Sequence, residues 1–286
     1  MEAPSARKKA DKGAERHSAR ETIMERRMSY MTQMEIADAI AAGRAVIVPT
    51  GATEAHGPHM PVDTDTHQVD HIAVLLAERI DAIVAPPVAY GVSMTFEHFP
   101  GTISLSIPTY QLMLFEIGAA LVKQGFNHII LLNGNRPSGT ANDQVARHMI
   151  DELDGDHDFK VSAVSYWEPA ADKIHALRKS VVGGMGHGCE LEASFQLATR
   201  PELVKMDRLK GAKYGPVGWD LVAPTNPTRT YARRPRPGAG HAAIFGDPTV
   251  ATAEMGEKSI AIIIDVLEQT FTNLQGSYQD RKDRPA

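Results

Sequence analysis

The chain has 286 residues, of which 43% are hydrophobic, with a formal net charge of −5 and a sequence isoelectric point near 6.2. This length allows one large domain with a substantial core. The acidic balance argues against a general nucleic-acid surface, which needs clustered basic residues, and favours a small-molecule ligand.

Cysteine content and the N-terminal sequence bear on location. Cys189 is the single cysteine, so no intrachain disulfide forms, and a reducing, cytoplasmic compartment is expected. Residues 1–25 are polar and lack a signal-peptide core. No later run reaches the roughly 20 apolar residues of a membrane span. We expect residues 1–25 to form a disordered polar tail, or alternatively a basic targeting arm, and residues 26–286 to form a single domain.

Strand-like and helix-like patterns alternate along the chain. In chain order, they predict a strand at 45–48, a helix at 66–80, a strand at 82–85, a helix at 108–124, a strand at 128–133, a helix at 139–153, a strand at 160–166, and helices at 169–179, 190–198 and 249–274. This alternation predicts an α/β fold with a mainly parallel central sheet flanked by helices.

Two predicted helices are too apolar for ordinary surface helices. The helix at 108–124 has almost no polar face, and the last helix has an apolar centre at 260–267. Such helices are buried between layers or between subunits, so we expect a homo-oligomer. Periodicity disappears between 210 and 245, where the basic, Pro-rich and Gly-rich stretch 232–240 indicates a lid, an intersubunit arm or a solvated insertion.

The first candidate site follows the first predicted strand. Glu54 and His56 are two apart in an extended segment, so their side chains point the same way, and Asp65 lies at the start of the next helix. Carboxylates together with imidazole suit Zn, Mn or Fe. The alternative for Asp65 is a helix N-cap. His59, in the same loop, is expected to face the substrate or support the metal ligands, unless it is an ordinary loop histidine.

A second candidate site lies in the glycine-rich segment 183–194, which contains His187, Glu190 and Glu192. If a helix starts near Glu190, the two glutamates point to nearly opposite sides. Only one then reaches a metal easily, with the other acting as a proton shuttle or a structural anchor. Alternatively, both form a charged first turn favoured by the helix dipole.

Five stretches of this sequence together resemble the creatininase (creatinine amidohydrolase) family. They are residues 49–65, 90–103, 125–134, 187–194 and 245–254. The resemblance implies a three-layer α/β sandwich, usually assembled as a hexamer, with one or two divalent metals at the carboxyl edge of the strands.

Family resemblance also assigns roles to individual positions. Those matching Glu54, His56 and Asp65 are metal ligands in the family, and the aspartate can bridge two ions. The position matching His187 and the acids after it lie in the active site. We take Glu190 by position as the remaining metal ligand, and His187 and Glu192 as the catalytic proton carriers.

One departure from the family pattern affects the second metal. The family normally has Asn-Gly-His after the third strand, whereas this chain has Asn133, Gly134 and Asn135. A glutamate that follows shortly afterwards in creatininase is also absent. We therefore expect one metal site, with the second weakened or lost, and expect Asn135 and Arg136 to bind substrate oxygens.

The expected function is that of a metal-dependent hydrolase acting on a small, polar, cyclic substrate. The best specific candidate is ring-opening hydrolysis of a dehydro-inositol such as 3-dehydro-scyllo-inosose, because Asn135 and Arg136 suit a hydroxyl-rich molecule. Hydrolysis of a lactam or a formamide is the alternative within this class. A catalytically silent, metal-dependent binding protein is the alternative from another class. No nucleic-acid or membrane partner is expected.

Overall fold

The central feature is a parallel four-stranded sheet. The computed structural model describes residues 25–153, 155, 157–212, 214–215, 221–222 and 242–282. The strands are β1 (Val46–Thr50), β2 (Ile83–Val84), β3 (His128–Asn133) and β4 (Lys160–Ser165), in the spatial order β2-β1-β3-β4. Thr50 pairs with Asn133, and Asn133 pairs with Ser165, so the strands end together at one edge.

Seven helices surround this sheet in the described residues. They are α1 (Gln33–Ala41), α2 (Thr64–Ile80), α3 (Ile107–Gln124), α4 (Arg136–Leu153), α5 (Ala171–Leu177), α6 (Glu190–Thr199) and α7 (Ala253–Lys282). Short 3-10 turns occupy Met28–Tyr30, Pro201–Leu203 and Met206–Leu209. A two-stranded antiparallel sheet joins β5 (Met185–His187) to β6 (Phe245–Gly246).

The core has two halves, one on each face of the sheet, because side chains along each strand point alternately to the two faces. In β1, Ile47 points into a cluster with α2, α6 and α7, whereas Val46 and Val48 point into a cluster with α1, α3 and α4. Successive side chains of a strand face opposite sides of a sheet, so each face buries its own layer of helices. The three-layer α/β sandwich is therefore confirmed.

Two glycines allow the first turn of α2 to lie directly against the carboxyl edge of the sheet. A Cβ at Gly51 would lie 2.4 Å from the Cα of Thr66, and one at Gly134 would lie 2.6 Å from the Cβ of Val69. Any larger residue would push the helix away from the strand ends. This close approach brings Asp65, in the first turn of α2, to the end of β3.

Several boundaries differ from those expected from the sequence. Helix α2 begins two residues earlier than predicted, so Asp65 lies inside its first turn, and the N-cap is Asp63. Helix α4 begins at Arg136 rather than near 139. The outer side of α3 is exposed, with Leu112 60% accessible.

Two predicted segments fall where the structure gives no description. Residues 1–24, nearly all of the expected polar tail, and the basic stretch 232–240 lie outside the described residues. Among the residues that are described, no helix has both the length and the apolar character needed to cross a membrane.

Candidate metal centre

Five titratable side chains meet in the protein interior at the carboxyl edge of the sheet. Glu54 and His56 lie in the loop after β1, Asp65 in the first turn of α2, His187 at the end of β5, and Glu192 in the first turn of α6. All five are at most 7% exposed. Four separate segments of the chain therefore converge on one buried cluster.

The donor atoms of this cluster are close together. His56 Nε2 lies 3.0 Å from Asp65 Oδ1 and 3.8 Å from Glu192 Oε1. On the other side of His56, His187 Nδ1 lies 3.3 Å from Glu54 Oε1. Two overlapping sets of three residues, one of Glu54, His56 and His187 and one of His56, Asp65 and Glu192, each have donor atoms within 4.8 Å of one another.

Both imidazoles are anchored through one nitrogen. His56 Nδ1 lies 3.0 Å from the carbonyl oxygen of Glu54, and His187 Nε2 lies 2.8 Å from that of Ala55. Because a carbonyl oxygen only accepts hydrogen bonds, each of these nitrogens carries the proton. The opposite nitrogens, which face the carboxylates, are then free to accept a proton or bind a cation.

Carboxylates dominate the cluster, and two of its buried atoms are left unsatisfied in the described part of the chain. Glu54 Oε2 and His56 Nε2 are buried and have no hydrogen-bond partner among the described residues. Burial, followed by the charge of Asp65, raises the pKa of Glu54 well above its usual value. Burial opposes charge on His56, but Asp65 and Glu192 outweigh it and hold its pKa well above the usual range. These residues fit a divalent cation, which would satisfy both orphaned atoms.

Asparagine 135 holds one of the carboxylates of the cluster. Its Nδ2 donates to Asp65 Oδ2 at 2.9 Å, while its Oδ1 accepts from the backbone N and the hydroxyl of Ser138 at 3.2 and 2.7 Å. Asp65 thus presents Oδ1 to His56 and has Oδ2 committed to an amide. Asn135 is only 2% exposed, so both ends of its amide are engaged within the protein.

Glutamate 192 is held by the loop before its own helix. Its Oε2 accepts from the backbone N of Gly188 at 2.5 Å and of Cys189 at 3.4 Å, which leaves Oε1 facing His56. Behind it, the Glu192 carbonyl oxygen accepts from Gln68 Nε2 at 3.0 Å, and Gln68 Oε1 accepts from the Tyr166 hydroxyl at 2.8 Å. These bonds fix the first turn of α6 against α2.

Comparison with known proteins agrees with this geometry. A family model described as creatinine amidohydrolase matches residues 29–271. The chain belongs to the creatininase family. Members of this family are metal-dependent hydrolases, so the expectation of a metal-dependent hydrolase is confirmed.

Relatives of the chain in this family are named for different activities. The mycofactocin precursor peptide peptidase of Mycolicibacterium smegmatis is 32% identical over 77% of this chain and 81% of its own length. Creatinine amidohydrolase of Pseudomonas putida is 31% identical over 84% of this chain and 95% of its own. The 3-dehydro-scyllo-inosose hydrolase of Thermotoga maritima is 25% identical over 90% of this chain and 86% of its own.

Solved creatininases share the fold. A crystal structure of creatinine amidohydrolase superposes with a TM-score of 0.75 at 25% identity, covering 87% of this chain and 97% of that one. A manganese form superposes with a TM-score of 0.76 at 25% identity, covering 87% and 98%. The solved creatininases thus include a manganese form and a mutant of Zn-Zn type.

The structure does not bring Glu190 into the cluster. Glu190 is fully buried, and its carboxylate accepts from the backbone N of Lys179 at 2.8 Å and from the backbone N and hydroxyl of Ser180 at 2.9 and 2.6 Å. Two residues apart on a helix, Glu190 and Glu192 point in nearly opposite directions. Glu192 therefore faces the other donors, whereas Glu190, which we expected from the sequence to be the remaining metal ligand, anchors the segment before β5.

The remaining expected residues lie around the cluster. His59 is 1% exposed and neither ring nitrogen has a hydrogen-bond partner among the described residues. Burial, followed by the charge of His56, lowers its pKa to about 4, so the ring is neutral at neutral pH. Arg136 is half-buried at the first position of α4.

Phe96 is a site residue that the sequence reasoning missed. Its ring stacks on the imidazole of His187, with ring centroids 4.0 Å apart and an interplanar angle of 16°. The ring centroids of His187 and His56 are 4.1 Å apart. Burial and the charge of His56 lower the pKa of His187 well below its usual value. Phe96 precedes the family-like stretch Glu97 to Ile103, which was the only available signal.

Proposed function

We propose that this hydrolase cleaves an amide C–N bond in a small polar substrate, using one divalent ion held by Glu54, His56, Asp65 and Glu192. The observation that carries the proposal is the pair of buried, unpartnered donors, Glu54 Oε2 and His56 Nε2, in the middle of three carboxylates. A donor set rich in carboxylate suits Zn or Mn, with Fe as a further choice.

A single ion is supported by the surroundings of Asp65. Asn135 donates to Asp65 Oδ2, which favours coordination through Oδ1. Asn135 stands where the family has a histidine, and Arg136, Pro137 and Ser138 follow it, so this stretch offers no imidazole or carboxylate of its own. His56 Nδ1 is also committed, to the Glu54 carbonyl, so His56 offers one nitrogen to one ion.

His187 is the proposed proton carrier. When bound, the ion would polarise the substrate carbonyl and lower the pKa of water. His187 is neutral, with Nδ1 facing Glu54 Oε1 at 3.3 Å and Nε2 donating to the carbonyl oxygen of Ala55. Its Nδ1 accepts a proton from the attacking water as the C–O bond forms, and donates that proton to the leaving nitrogen as the C–N bond breaks. Stacking on Phe96 keeps the ring in the orientation that this transfer needs.

His59 and Arg136 are the proposed substrate contacts. Asn135 instead orients Asp65 through the hydrogen bond to its carboxylate. His59 has two unpartnered ring nitrogens, and a substrate or water hydrogen bond would satisfy one of them. The amide of Asn135 is engaged on both ends, which removes the main reason to favour a hydroxyl-rich substrate.

Ring-opening hydrolysis of a dehydro-inositol is the second candidate. It is supported by the relative from Thermotoga maritima, whose alignment covers 90% of this chain. Amide hydrolysis is preferred because the relatives at 32% and 31% identity are a peptidase and a creatinine amidohydrolase. Within that class, lactams, formamides and short peptides are the substrates to compare.

The test is metal analysis followed by a substrate panel. Protein purified without added metal should contain close to one divalent ion per chain, and should hydrolyse at least one of creatinine, an N-formyl amino acid or a short peptide after loading with Zn or Mn. Activity should disappear with chelator and with His187→Gln. Turnover of 3-dehydro-scyllo-inosose alone would establish the second candidate, and metal without any turnover would favour the silent binding protein.

We also propose a cytoplasmic homo-oligomer, a hexamer by family resemblance. Leu112, Met94 and Ile107 are 60%, 52% and 42% exposed, and apolar side chains of this size are commonly covered by a partner subunit. A single cysteine, which cannot form an intrachain disulfide, suits the reducing compartment. Light scattering on the purified protein should give a mass near six chains, and a monomer would contradict this assembly.

A further inference from the structure

A cavity of about 460 Å³ opens beside the metal-binding loop. One wall is formed by Ala55, Gly57 and Pro58. These residues belong to the same loop as the proposed ligands Glu54 and His56. The carbonyl of Ala55 is also the group that anchors His187. The volume is within the range of small-molecule sites, and a ligand in this cavity would lie beside the loop that carries Glu54 and His56.

The cavity is lined by two cations. Arg208 and Lys210 contribute to its wall, and none of the described lining residues is acidic. Neither cation forms an ion pair with a described carboxylate, in contrast to Arg200, which is paired with Asp63 at 2.7 Å. Two positive charges that no carboxylate of the described residues balances therefore face a space that is open to a ligand.

The segment that carries these cations is fixed to the metal-binding loop. The backbone N of Lys205 donates to the carbonyl of His59 at 2.8 Å, and that of Arg208 donates to Lys205 at 3.0 Å. Leu209, between the two cations, is only 7% exposed and packs inward. The spacing between Arg208, Lys210 and the metal cluster is thus set by backbone bonds rather than by free loop ends.

Charge balance at the cluster indicates what these cations do. Three carboxylates around one divalent ion leave a formal negative charge, which repels an anionic substrate. Arg208 and Lys210 would offset that repulsion at the cavity wall. We infer that the substrate carries an anionic group, a carboxylate or a phosphate, which Arg208 and Lys210 bind while the scissile amide lies at the metal cluster. This inference rests on the proposed function.

The experiment compares matched neutral and anionic probes. Calorimetry on metal-loaded protein at low salt measures the binding of N-acetylglycine, of its neutral analogue N-acetylglycinamide and of inorganic phosphate. N-acetylglycine should bind about tenfold more tightly than the amide, in line with one or two charge-assisted contacts. Whichever of N-acetylglycine and phosphate binds more tightly identifies the kind of anion.

Variants locate the binding. The double variant Arg208→Gln with Lys210→Gln should lose the preference for the anion, whereas Lys205→Gln, which removes a cation from the same segment but not from the cavity wall, should retain it. Equal binding of both acetyl probes by the natural chain, no binding of any anion, or anion binding that survives in the double variant would each overturn the inference. The metal content of every variant is measured in parallel, because a metal-free natural chain would instead overturn the proposed function.

Discussion

Glu190 and Glu192 are two residues apart in the first turn of α6, yet replacing each by glutamine should have a different effect. Glu190→Gln should lower the stability of the fold. Glu190 accepts three hydrogen bonds from Lys179 and Ser180. Glutamine keeps one acceptor oxygen for Ser180 but turns an NH₂ group towards the backbone N of Lys179. One hydrogen bond to a charged group is lost and a donor is left facing a donor, which costs about 2 to 4 kcal/mol of unfolding free energy.

Glu192→Gln should act on the metal instead. The glutamine oxygen can still accept from the backbone N of Gly188. Removal of one carboxylate also relieves repulsion with Glu54, whose pKa is raised by burial, by the charge of Asp65 and further by that of Glu192. The stability of the metal-free variant should stay within about 1 kcal/mol of the natural chain. Its metal affinity should fall at least about 100-fold, since even residues that only support metal ligands cost 10 to 100-fold.

Two measurements separate these effects. Urea denaturation in the presence of chelator gives the stability of the metal-free protein, and titration of metal into the metal-free protein gives the metal affinity. Chelator is needed because bound metal itself stabilises the folded state. The reasoning is refuted if Glu190→Gln loses the metal at unchanged metal-free stability while Glu192→Gln retains it, because that result would return Glu190 to the ligand role.

Three further substitutions test the supports around the site. Asn135→Ala frees Asp65 Oδ2 and should weaken metal affinity about 10 to 100-fold by titration; unchanged affinity would show that the amide does not orient Asp65. Gly134→Ala places a Cβ 2.6 Å from that of Val69 and should lower the unfolding free energy by about 1 to 3 kcal/mol, whereas an unaltered urea midpoint would mean that α2 shifts without cost. Burial, followed by Lys160, lowers the pKa of His128 from 6.5 to about 4, so the unfolded chain binds the proton first and stability is lost as pH falls from 6.5 towards 4. His128→Gln should reduce that loss by about 1 to 3 kcal/mol, and identical pH profiles would contradict this assignment.

The central sheet was predictable because its strands leave strong local patterns. Residues 128–133 form an apolar run of strand length, and the structure has β3 with those bounds. The strands β5 and β6 were missed, since they contain only three and two residues and show no periodicity of their own. Their pairing depends on contacts between segments about 60 residues apart, which local patterns do not contain.

The site was only partly predictable for a related reason. Sequence patterns indicated Glu54, His56 and Asp65 as neighbours, because all three lie in one short stretch that runs from the loop after β1 into the first turn of α2. Position in the sequence indicated Glu190 as the metal ligand, whereas Glu192 is the one that faces His56, since the choice depends on how α6 is rotated against α2. The absence of the family histidine at Asn135 was visible in the sequence, but its bond to Asp65 spans 70 residues and required the fold.

Anomalous diffraction from crystals of the metal-loaded protein, collected at the absorption edge of the bound metal, tests the central claim most directly. The account predicts one peak per chain, within bonding distance of His56 Nε2 and of the carboxylates of Glu54, Asp65 and Glu192. Two peaks on either side of Asp65, or a single peak bound to Glu190, would contradict it.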